Sequence, residues 1–342
     1  MKKNNQSSNT QNRVVIALGD PAGIGTEVTL KALGSLDLPT NMQPLLVGCK
    51  QNVELVYEKL KSQGISSVAN PRKLAIENIP LNHQFTEGKP SLITGRASFL
   101  WLTKAIEIVL QGKARAVVTA PIAKHAWQEA GYQYPGQTER LAELAGIDKP
   151  SMLFTAKSPH NSWRLNTLLA TTHIPFAEIL NALTPKLIIS KLDTLLSFCK
   201  KFKDSPKLSI SGLNPHAGEK GKIGLEEIEW LIPVINEWRN NHPEVELIGP
   251  VPPDTCWISS SHAWNYGPTE QCPDGILALY HDQGLIPIKL IAFDYAVNTT
   301  LGLPFIRTSP DHGTGFDIAG KGVARSKSML SAIHTAWELS TN

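Results

Sequence analysis

Residues 14–33 read VVIALGDPAGIGTEVTLKAL and combine an apolar run, a glycine-rich turn and a helical segment. The apolar run at 14–18 is short and continuous, as in a strand that is buried on both faces. Glycine and proline interrupt it at once, and the residues at 26–33 favour a helix. This stretch predicts a buried strand that is followed by a tight loop and a helix.

The same order of elements recurs along the chain. Apolar runs of strand length occur at 44–48, 116–120, 165–171, 208–212 and 275–280. Helical patterns are found at 51–63, from 124 onward, at 184–202 and at 225–240. Strands that alternate with helices indicate an α/β protein with a parallel or mixed sheet. Residues 257–274 contain several serines and a Gly-Pro pair, and we expect a long surface loop there.

The composition narrows the class of protein. The 342 residues exceed the roughly 250–300 at which a single core stops growing, so we expect two lobes. Hydrophobic residues make up 42% and charged residues 18%, as in ordinary globular domains. The net charge of +3 is spread along the chain, which argues against bulk attraction to nucleic acid.

The sequence also indicates a cellular compartment. Residues 1–13 are polar and lack the apolar core of a secretory signal. No stretch approaches the roughly 18 apolar residues of a membrane span. The 4 cysteines form no C-x-x-C pair, and we expect buried thiols rather than disulfides or a thiolate metal cage. We therefore expect a cytoplasmic protein with no membrane partner.

Three predicted strands end in a histidine with unusual neighbours. The segments are TTHIP at 171–175, GLNPHAGE at 212–219 and YHDQG at 280–284. Loops at the carboxyl ends of parallel strands converge, so His173, His216 and His281 are candidate ligands of one divalent cation. The alternative is that each imidazole hydrogen-bonds only within its own loop. Asp282 is expected to orient His281, to bind the metal directly, or merely to cap a helix.

The last third of the chain places isolated cations and glycines among apolar residues. Arg307 stands between Pro-Phe-Ile and Thr-Ser-Pro, which is a poor context for a solvated charge. Its guanidinium has the geometry to bind a carboxylate or phosphate in two places, and an internal ion pair is the alternative. Glycines at 313, 315, 320 and 322 permit close backbone approach to a ligand. Neither they nor residues 19–25 match the G-x-G-x-x-G pattern of the Rossmann fold.

These segments together resemble a known family. Motifs at 19–25, 171–175, 212–219, 280–284 and 300–308 are similar, in the same order, to those of the 4-hydroxythreonine-4-phosphate dehydrogenase family. The resemblance spans about residues 13–335. It implies a two-lobed isocitrate/isopropylmalate dehydrogenase-like α/β fold, with mixed sheets flanked by helices and an active site in the cleft between the lobes. The implied division is a disordered tail at 1–12, a first lobe at 13–135 plus 300–342, and a second lobe at 136–299.

The resemblance also implies roles for single residues. The implied metal ligands are His173, His216 and His281, with His281 donated across a homodimer interface. The implied substrate-binding residues are Gln137, Thr138, Lys289, Asn298 and Arg307. The segment from residue 312 also resembles the adenosine-binding loop of isopropylmalate and isocitrate dehydrogenases, which implies a cofactor site at His312, Gly313, Thr314 and Asp317. The candidates for the general base are Asp282 and Lys124, and for Lys124 the alternative is a solvated helix start.

The implied reaction is the oxidation of a small phosphorylated substrate, 4-hydroxythreonine 4-phosphate, by NAD or NADP. Decarboxylation to 3-amino-2-oxopropyl phosphate then follows, on the route to pyridoxal phosphate. One divalent ion per site is expected, and three histidines with water suit Zn, Co, Mn or Mg to differing degrees.

Two features depart from the family pattern. Gln137 stands where the family has histidine, and an amide cannot supply the charge-assisted part of a phosphate contact, worth about 1–2 kcal/mol. The stretch 257–274 is also longer than the usual connection. Gln137 leaves open a sister dehydrogenase that acts on threonate or erythronate 4-phosphate. Two further alternatives are a metal-binding homologue without catalysis and an acyl-phosphate transferase on a related fold.

Overall fold

The computed structural model of the protein describes residues 12–341, so the expected tail at 1–12 lies outside these residues except for its last position. The strands are β1 (Arg13–Ala17), β2 (Gln43–Gly48), β3 (Ala75–Asn78), β4 (Ala116–Thr119), β5 (Ser151–Lys157), β6 (Arg164–Leu169), β7 (Leu208–Ser211), β8 (Leu247–Val251), β9 (Gly275–Ala278), β10 (Val297–Leu301) and β11 (Ile306–Pro310). The α-helices are α1 (Gly25–Leu33), α2 (Lys50–Ser62), α3 (Leu92–Leu110), α4 (Lys124–Glu129), α5 (Gln137–Ala145), α6 (Ile179–Ala182), α7 (Pro185–Cys199), α8 (Ile232–Asn241), α9 (Ile258–Tyr266), α10 (His281–Ala292) and α11 (Lys327–Thr341).

Contacts divide the described chain into two compact units. The first contains residues 12–150 and 297–341, and the second contains residues 151–296. The division differs from the expected one at residues 136–150, which belong to the first unit. The physical reason is that α5 packs against α3 of that unit. Similarly, residues 297–299 belong to the first unit because they start β10, which pairs with β11.

The first unit is built on a sheet with the strand order β3-β2-β1-β4-β11-β10. Its neighbouring strands are parallel, except that β10 and β11 are antiparallel. β1 lies between β2 and β4, and residues 14–17 are buried. A strand that is covered on both faces needs apolar side chains at every position, so the strand, loop and helix expected at 14–33 are confirmed. α3 begins with a capping box in which Ser91 and Thr94 satisfy each other's backbone amides.

The second unit has a sheet with the order β5-β6-β9-β7-β8. β5 and β6 are antiparallel, and the other neighbouring pairs are parallel. The prediction of a loop at 257–274 was wrong in part, because α9 occupies half of this segment. Trp257 and Trp264 are only 7% and 5% exposed and pack in the core of this unit. Burial of these two large aromatic side chains stabilises a segment whose own serine-rich sequence favours no helix.

The helix expected at 225–240 is a π-helical turn, Glu227–Leu231, that continues into α8. All four cysteines are buried free thiols, as predicted. Between residues 12 and 341, the structure contains no helix with the length and hydropathy needed to cross a membrane.

Candidate active site

The three histidines follow three neighbouring parallel strands of the second unit. β9 lies between β6 and β7 and is parallel to both. His173 follows β6, His216 follows β7, and His281 starts α10 shortly after β9. Because parallel strands end at one edge of a sheet, all three loops leave the sheet on the same side.

Two of these histidines lie side by side. The ring centroids of His173 and His281 are 5.5 Å apart, with 44° between the ring planes. Both rings line a cavity of about 290 Å³, together with Asp282 and Phe176. His216 is not part of this pair, and within residues 12–341 no three histidine, cysteine or acidic side chains form a group that could hold a metal ion.

Asp282 contacts the ring of His281. Its carboxylate accepts a hydrogen bond from Nδ1 of His281 at 2.7 Å. A histidine that donates from Nδ1 presents the lone pair of Nε2 to a ligand, and a carboxylate partner increases its basicity. The cap position of α10 is Tyr280 rather than Asp282. Of the three roles expected for Asp282, the hydrogen bond to Nδ1 of His281 supports the one in which Asp282 orients that ring.

A buried glutamine links two of the strand ends. Gln283 accepts a hydrogen bond from the amide of Leu279 and donates one to the carbonyl of Gly212, both at 2.7 Å. Leu279 precedes His281, and Gly212 precedes His216. Gln283 therefore holds the starting points of both histidine loops. In the segment YHDQG only the histidine and the aspartate are conspicuous, and no sequence signal indicates this role for Gln283.

The first unit contains a buried cation at Arg307, whose side chain lies among hydroxyl groups. Arg307 is 3% exposed. Its Nε and Nη2 donate to Oγ1 of Thr119 at 3.2 and 2.7 Å, and Nη1 donates to Oγ1 of Thr300 at 3.0 Å. Within residues 12–341 it forms no salt bridge, so the alternative of an internal ion pair is not found.

The charge of Arg307 is retained at neutral pH. Burial lowers the pKa of its guanidinium to about 10, although the carboxylate of Glu139 acts in the opposite direction. A buried guanidinium whose hydrogen-bond partners are all neutral hydroxyls has a strong electrostatic preference for an anion.

Gln137 lies at the same end of β4 as Arg307. Its Nε2 donates to the carbonyl of Ala120 at 3.0 Å, directly after the Thr119 that binds Arg307. Its Oε1 is buried and accepts no hydrogen bond from the described part of the chain. Gln137 also starts α5, and the preceding Gly136 has no side chain to cap the helix amides. An uncapped helix N-terminus beside a cation favours anion binding.

Of the other predicted site residues, Lys124, Asn298 and Thr138 lie in the first unit, and Lys289 lies in the second. Nζ of Lys124 is 3.9 Å from the position of an ideal Cβ on Gly136, so it lies beside the start of α5. Asn298 is on the same face of β10 as Thr300, and its Oδ1 is buried without a hydrogen bond in the described chain. Thr138 lies in the first turn of α5. Lys289 is in the second unit, exposed on α10 about two turns beyond His281.

The predicted cofactor loop packs on the glycine-rich turn at 19–25. The amide of Ile24 donates to the carbonyl of Thr314 at 2.9 Å. A Cβ at Gly23 would lie 2.7 Å from that same carbonyl, so glycine is required for this approach. Nδ1 of His312 donates to the carbonyl of Gly313 at 3.0 Å, and its Nε2 is buried without a partner among residues 12–341.

Lys31 holds the far end of this loop. Its Nζ donates to the carbonyls of Gly322 and Ala324 at 2.7 and 2.9 Å. Gly313 and Asp317 are exposed, so their backbone and carboxylate are accessible to a ligand. The glycines at 19–25 thus serve chain packing, which explains why they do not follow the Rossmann spacing.

Comparison with known proteins identifies relatives. The family described as "Pyridoxal phosphate biosynthetic protein PdxA" matches residues 40–336. A curated 4-hydroxythreonine-4-phosphate dehydrogenase from Synechococcus sp. (strain RCC307) is 56% identical over 328 residues, which covers 96% of this chain and 99% of that protein. The crystal structure of a 4-hydroxythreonine-4-phosphate dehydrogenase from Klebsiella pneumoniae superposes with a TM-score of 0.80 at 33% identity, covering 97% of this chain and 98% of that one.

A more distant similarity concerns the fold alone. The isocitrate dehydrogenase from Methylococcus capsulatus has a TM-score of 0.50 at 14% identity, covering 96% of this chain and 85% of that one. The α/β fold expected from the sequence, like that of isocitrate dehydrogenase, is therefore confirmed. Because the matching family spans most of the chain and the Synechococcus relative covers nearly its full length, this chain belongs to the family of the pyridoxal phosphate biosynthetic protein PdxA.

Proposed function

We propose that this protein oxidises the secondary alcohol of 4-hydroxythreonine 4-phosphate, with NAD or NADP as the hydride acceptor. The resulting β-keto acid loses CO2 and gives 3-amino-2-oxopropyl phosphate. The observation that carries the proposal is the buried cation Arg307 at the end of β4, beside Gln137 and the uncapped start of α5. Membership in the family supports the same reaction.

The anion site binds and orients the substrate. The guanidinium of Arg307 is held by Thr119 and Thr300, so little side-chain freedom is lost when an anion binds. Nε2 of Gln137 has a second N–H besides the one donated to Ala120, and this N–H is available to a phosphate oxygen.

The histidines suit a divalent ion such as Zn, Mg or Co. His173 and His281 already share one cavity, and Asp282 holds Nδ1 of His281 so that Nε2 is presented as a ligand atom. When bound, the ion supplies a Lewis acid for the alcohol oxygen and for the negative charge that develops on decarboxylation. We propose His173, His216 and His281 as its ligands, with His281 donated by a second copy of the chain. The same-chain pair of His173 and His281, 5.5 Å apart, is the competing arrangement.

The candidate bases differ in their surroundings. The carboxylate of Asp282 is occupied by the hydrogen bond from His281. The amine of Lys124 lies beside Gly136, at the start of the helix that borders the anion site. We therefore favour Nζ of Lys124 as the atom that accepts the alcohol proton, a step that requires its amine to have lost its own proton to solvent first.

A homodimer is the proposed assembly. Ile258, Ile286 and Leu290 are 63%, 59% and 82% exposed and line an apolar groove of about 570 Å³ that also includes Asp282. Exposed apolar patches of this kind mark interaction surfaces. α10 carries Ile286 and Leu290 and begins at His281, so a second copy on this face would bring His281 to the interface. A cytoplasmic location belongs to the same proposal and is supported by four free, buried thiols.

Leu290→Asp is expected to weaken the dimer by about tenfold to a hundredfold, since a buried unpaired carboxylate is costly in an apolar interface. Sedimentation velocity over a dilution series measures the change. The control is Leu55→Asp on α2, where the native leucine is 63% exposed, compared with 82% for Leu290. Equal dimerisation by both variants would exclude the α10 face from the interface.

A substrate panel tests the proposed reaction. Reduction of NAD and NADP is followed with 4-hydroxythreonine, threonate and erythronate 4-phosphates, each with and without added Zn, Mg or Co. Turnover of only threonate or erythronate 4-phosphate would establish the sister dehydrogenase, the alternative that Gln137 leaves open. Metal uptake with no nicotinamide reduction would indicate a homologue without catalysis, and turnover that depends on coenzyme A would indicate acyl transfer.

Gln137→His is expected to raise kcat/KM for 4-hydroxythreonine 4-phosphate by about tenfold, because an imidazolium adds the charge-assisted part of a phosphate contact. The gain should be larger near pH 6 than near pH 8, since the ring must be protonated to supply charge. Gln133→His, at an exposed position in the preceding loop, is the matched control. No turnover of this substrate by either the wild type or Gln137→His would contradict the proposed function.

A further inference from the structure

The loop that carries His216 has an unusual backbone. Residues 216–220 all have positive φ, with values of 53°, 51°, 75°, 41° and 57°. Only Gly218 among them is glycine, and residues with a Cβ avoid this region. The residues themselves do not favour five positive φ angles in succession, so contacts from outside the loop must maintain this backbone conformation.

Glu227 provides such contacts on the side that precedes His216. Its side chain is fully buried, at 0% exposure. Oε1 accepts hydrogen bonds from the backbone amides of Leu213 and Asn214 at 2.8 and 2.7 Å, and Oε2 accepts one from Nδ2 of Asn214 at 2.8 Å. A buried carboxylate is stable only with such partners, and here the loop itself supplies them.

The same carboxylate also packs against the side that follows His216. A Cβ at Gly218 would lie 2.8 Å from Oε2 of Glu227, and Gly218 has a φ of 75°. Glycine at this position therefore leaves the space that the carboxylate of Glu227 occupies. Glu227 contacts the loop on both sides of the histidine.

We propose that Glu227 is a positioning residue that fixes the backbone around His216 and thereby sets the affinity of the proposed site, in which His216 is a ligand, for a divalent cation. The inference rests on the proposed function, in which His216 is one of the metal ligands. Partners that orient a ligand in this indirect way commonly change metal affinity by about 10- to 100-fold when they are removed.

Glu227→Gln tests the proposal with little change in volume. The glutamine keeps one oxygen for the two backbone amides and replaces Oε2 by an NH2 group that faces Nδ2 of Asn214. We expect the affinity for Co or Zn, measured on the full chain by competition with a chelating dye, to fall about 10- to 100-fold. The affinity for NADH, followed by its fluorescence, should remain that of the wild type. Glu229→Gln, at an exposed position in the same segment, is the matched control for metal binding.

A second measurement does not need the metal. Hydrogen exchange of the metal-free protein should be faster in a peptide that covers 213–221 in Glu227→Gln, with the rates of β1 and β4 unchanged. If Glu227→Gln does not fold, Asn214→Ala is the second variant. It removes the bonds from Nδ2 to Oε2 of Glu227 and to Oε2 of Glu226 but keeps both backbone bonds to Oε1 of Glu227, and it should give a smaller change in the same two readouts. Wild-type affinity together with wild-type exchange in the folded variant would overturn the proposal.

His216→Ala separates the proposed metal site from the proposed role of Glu227. If the wild type and His216→Ala bind the ion equally, the proposed metal site fails, and hydrogen exchange alone then decides whether Glu227 holds the loop. If His216→Ala loses the ion and Glu227→Gln retains it in full, the metal site stands and the role of Glu227 is refuted.

Discussion

Arg307→Met is expected to lower kcat/KM for 4-hydroxythreonine 4-phosphate by about 10²- to 10³-fold, mainly through a higher KM. Removing one partner of a buried, hydrogen-bonded charge contact costs about 2–5 kcal/mol. Thr119 and Thr300 hold the guanidinium in place before an anion binds. Because methionine has neither charge nor N–H donors, the variant loses the whole contact to the substrate. Methionine occupies a similar volume without charge, and the melting temperature should stay the same or rise, because a buried cation without an ion pair is no longer required.

Arg307→Lys separates charge from geometry. One ammonium cannot replace three N–H donors that are aimed at Thr119 and Thr300, so we expect a loss of about tenfold although the charge is kept. Arg96→Met, at an exposed position on α3, is the control. Steady-state kinetics and thermal melting on all three variants measure the effect. An unchanged KM with a large fall in melting temperature would show that Arg307 stabilises the fold and does not bind the substrate.

The fold could largely be predicted because several central strands, such as β1, β4 and β9, are buried and almost continuously apolar. Runs such as 14–18 and 116–120 carry this signal in their own residues. The segment at 257–274 does not, since its helix depends on distant partners. Nε1 of Trp257 reaches Oγ1 of Thr167, 90 residues away in sequence, at 3.5 Å, and Trp264 packs near Tyr295. No local pattern shows that such contacts exist.

The site residues that could be predicted carry a local sequence signal, whereas those that were missed act through contacts with residues distant in sequence. A histidine after a strand and an arginine within an apolar sequence are visible in a short window. The structure places the three histidines after strands and Arg307 within β11. Thr119 acts on Arg307 across 188 residues, and Gln283 acts on Gly212 across 71. Threonine and glutamine are common in every setting, so only the three-dimensional contacts reveal what they hold.

His281→Ala is expected to lower turnover by about 10³-fold or more, because the ion supplies several kcal/mol of charge stabilisation in the transition state. Chelation of the wild-type protein should have the same effect and should be reversed by added metal, whereas His281→Ala should not recover at the same metal concentration. Nicotinamide reduction and metal content by atomic absorption are the measurements. Full turnover by the chelated enzyme would contradict a role for the metal.

A mixture of two inactive variants decides which subunit supplies His281. His281→Ala retains His173 and His216, and His216→Ala retains His281. If His281 is donated across a two-fold interface, random exchange of subunits rebuilds one complete site in half of the dimers, and activity returns to about one quarter of the wild-type value. If His173, His216 and His281 of the same chain hold the ion instead, as the 5.5 Å between the rings of His173 and His281 would allow, every site in the mixture lacks one ligand and the mixture stays inactive.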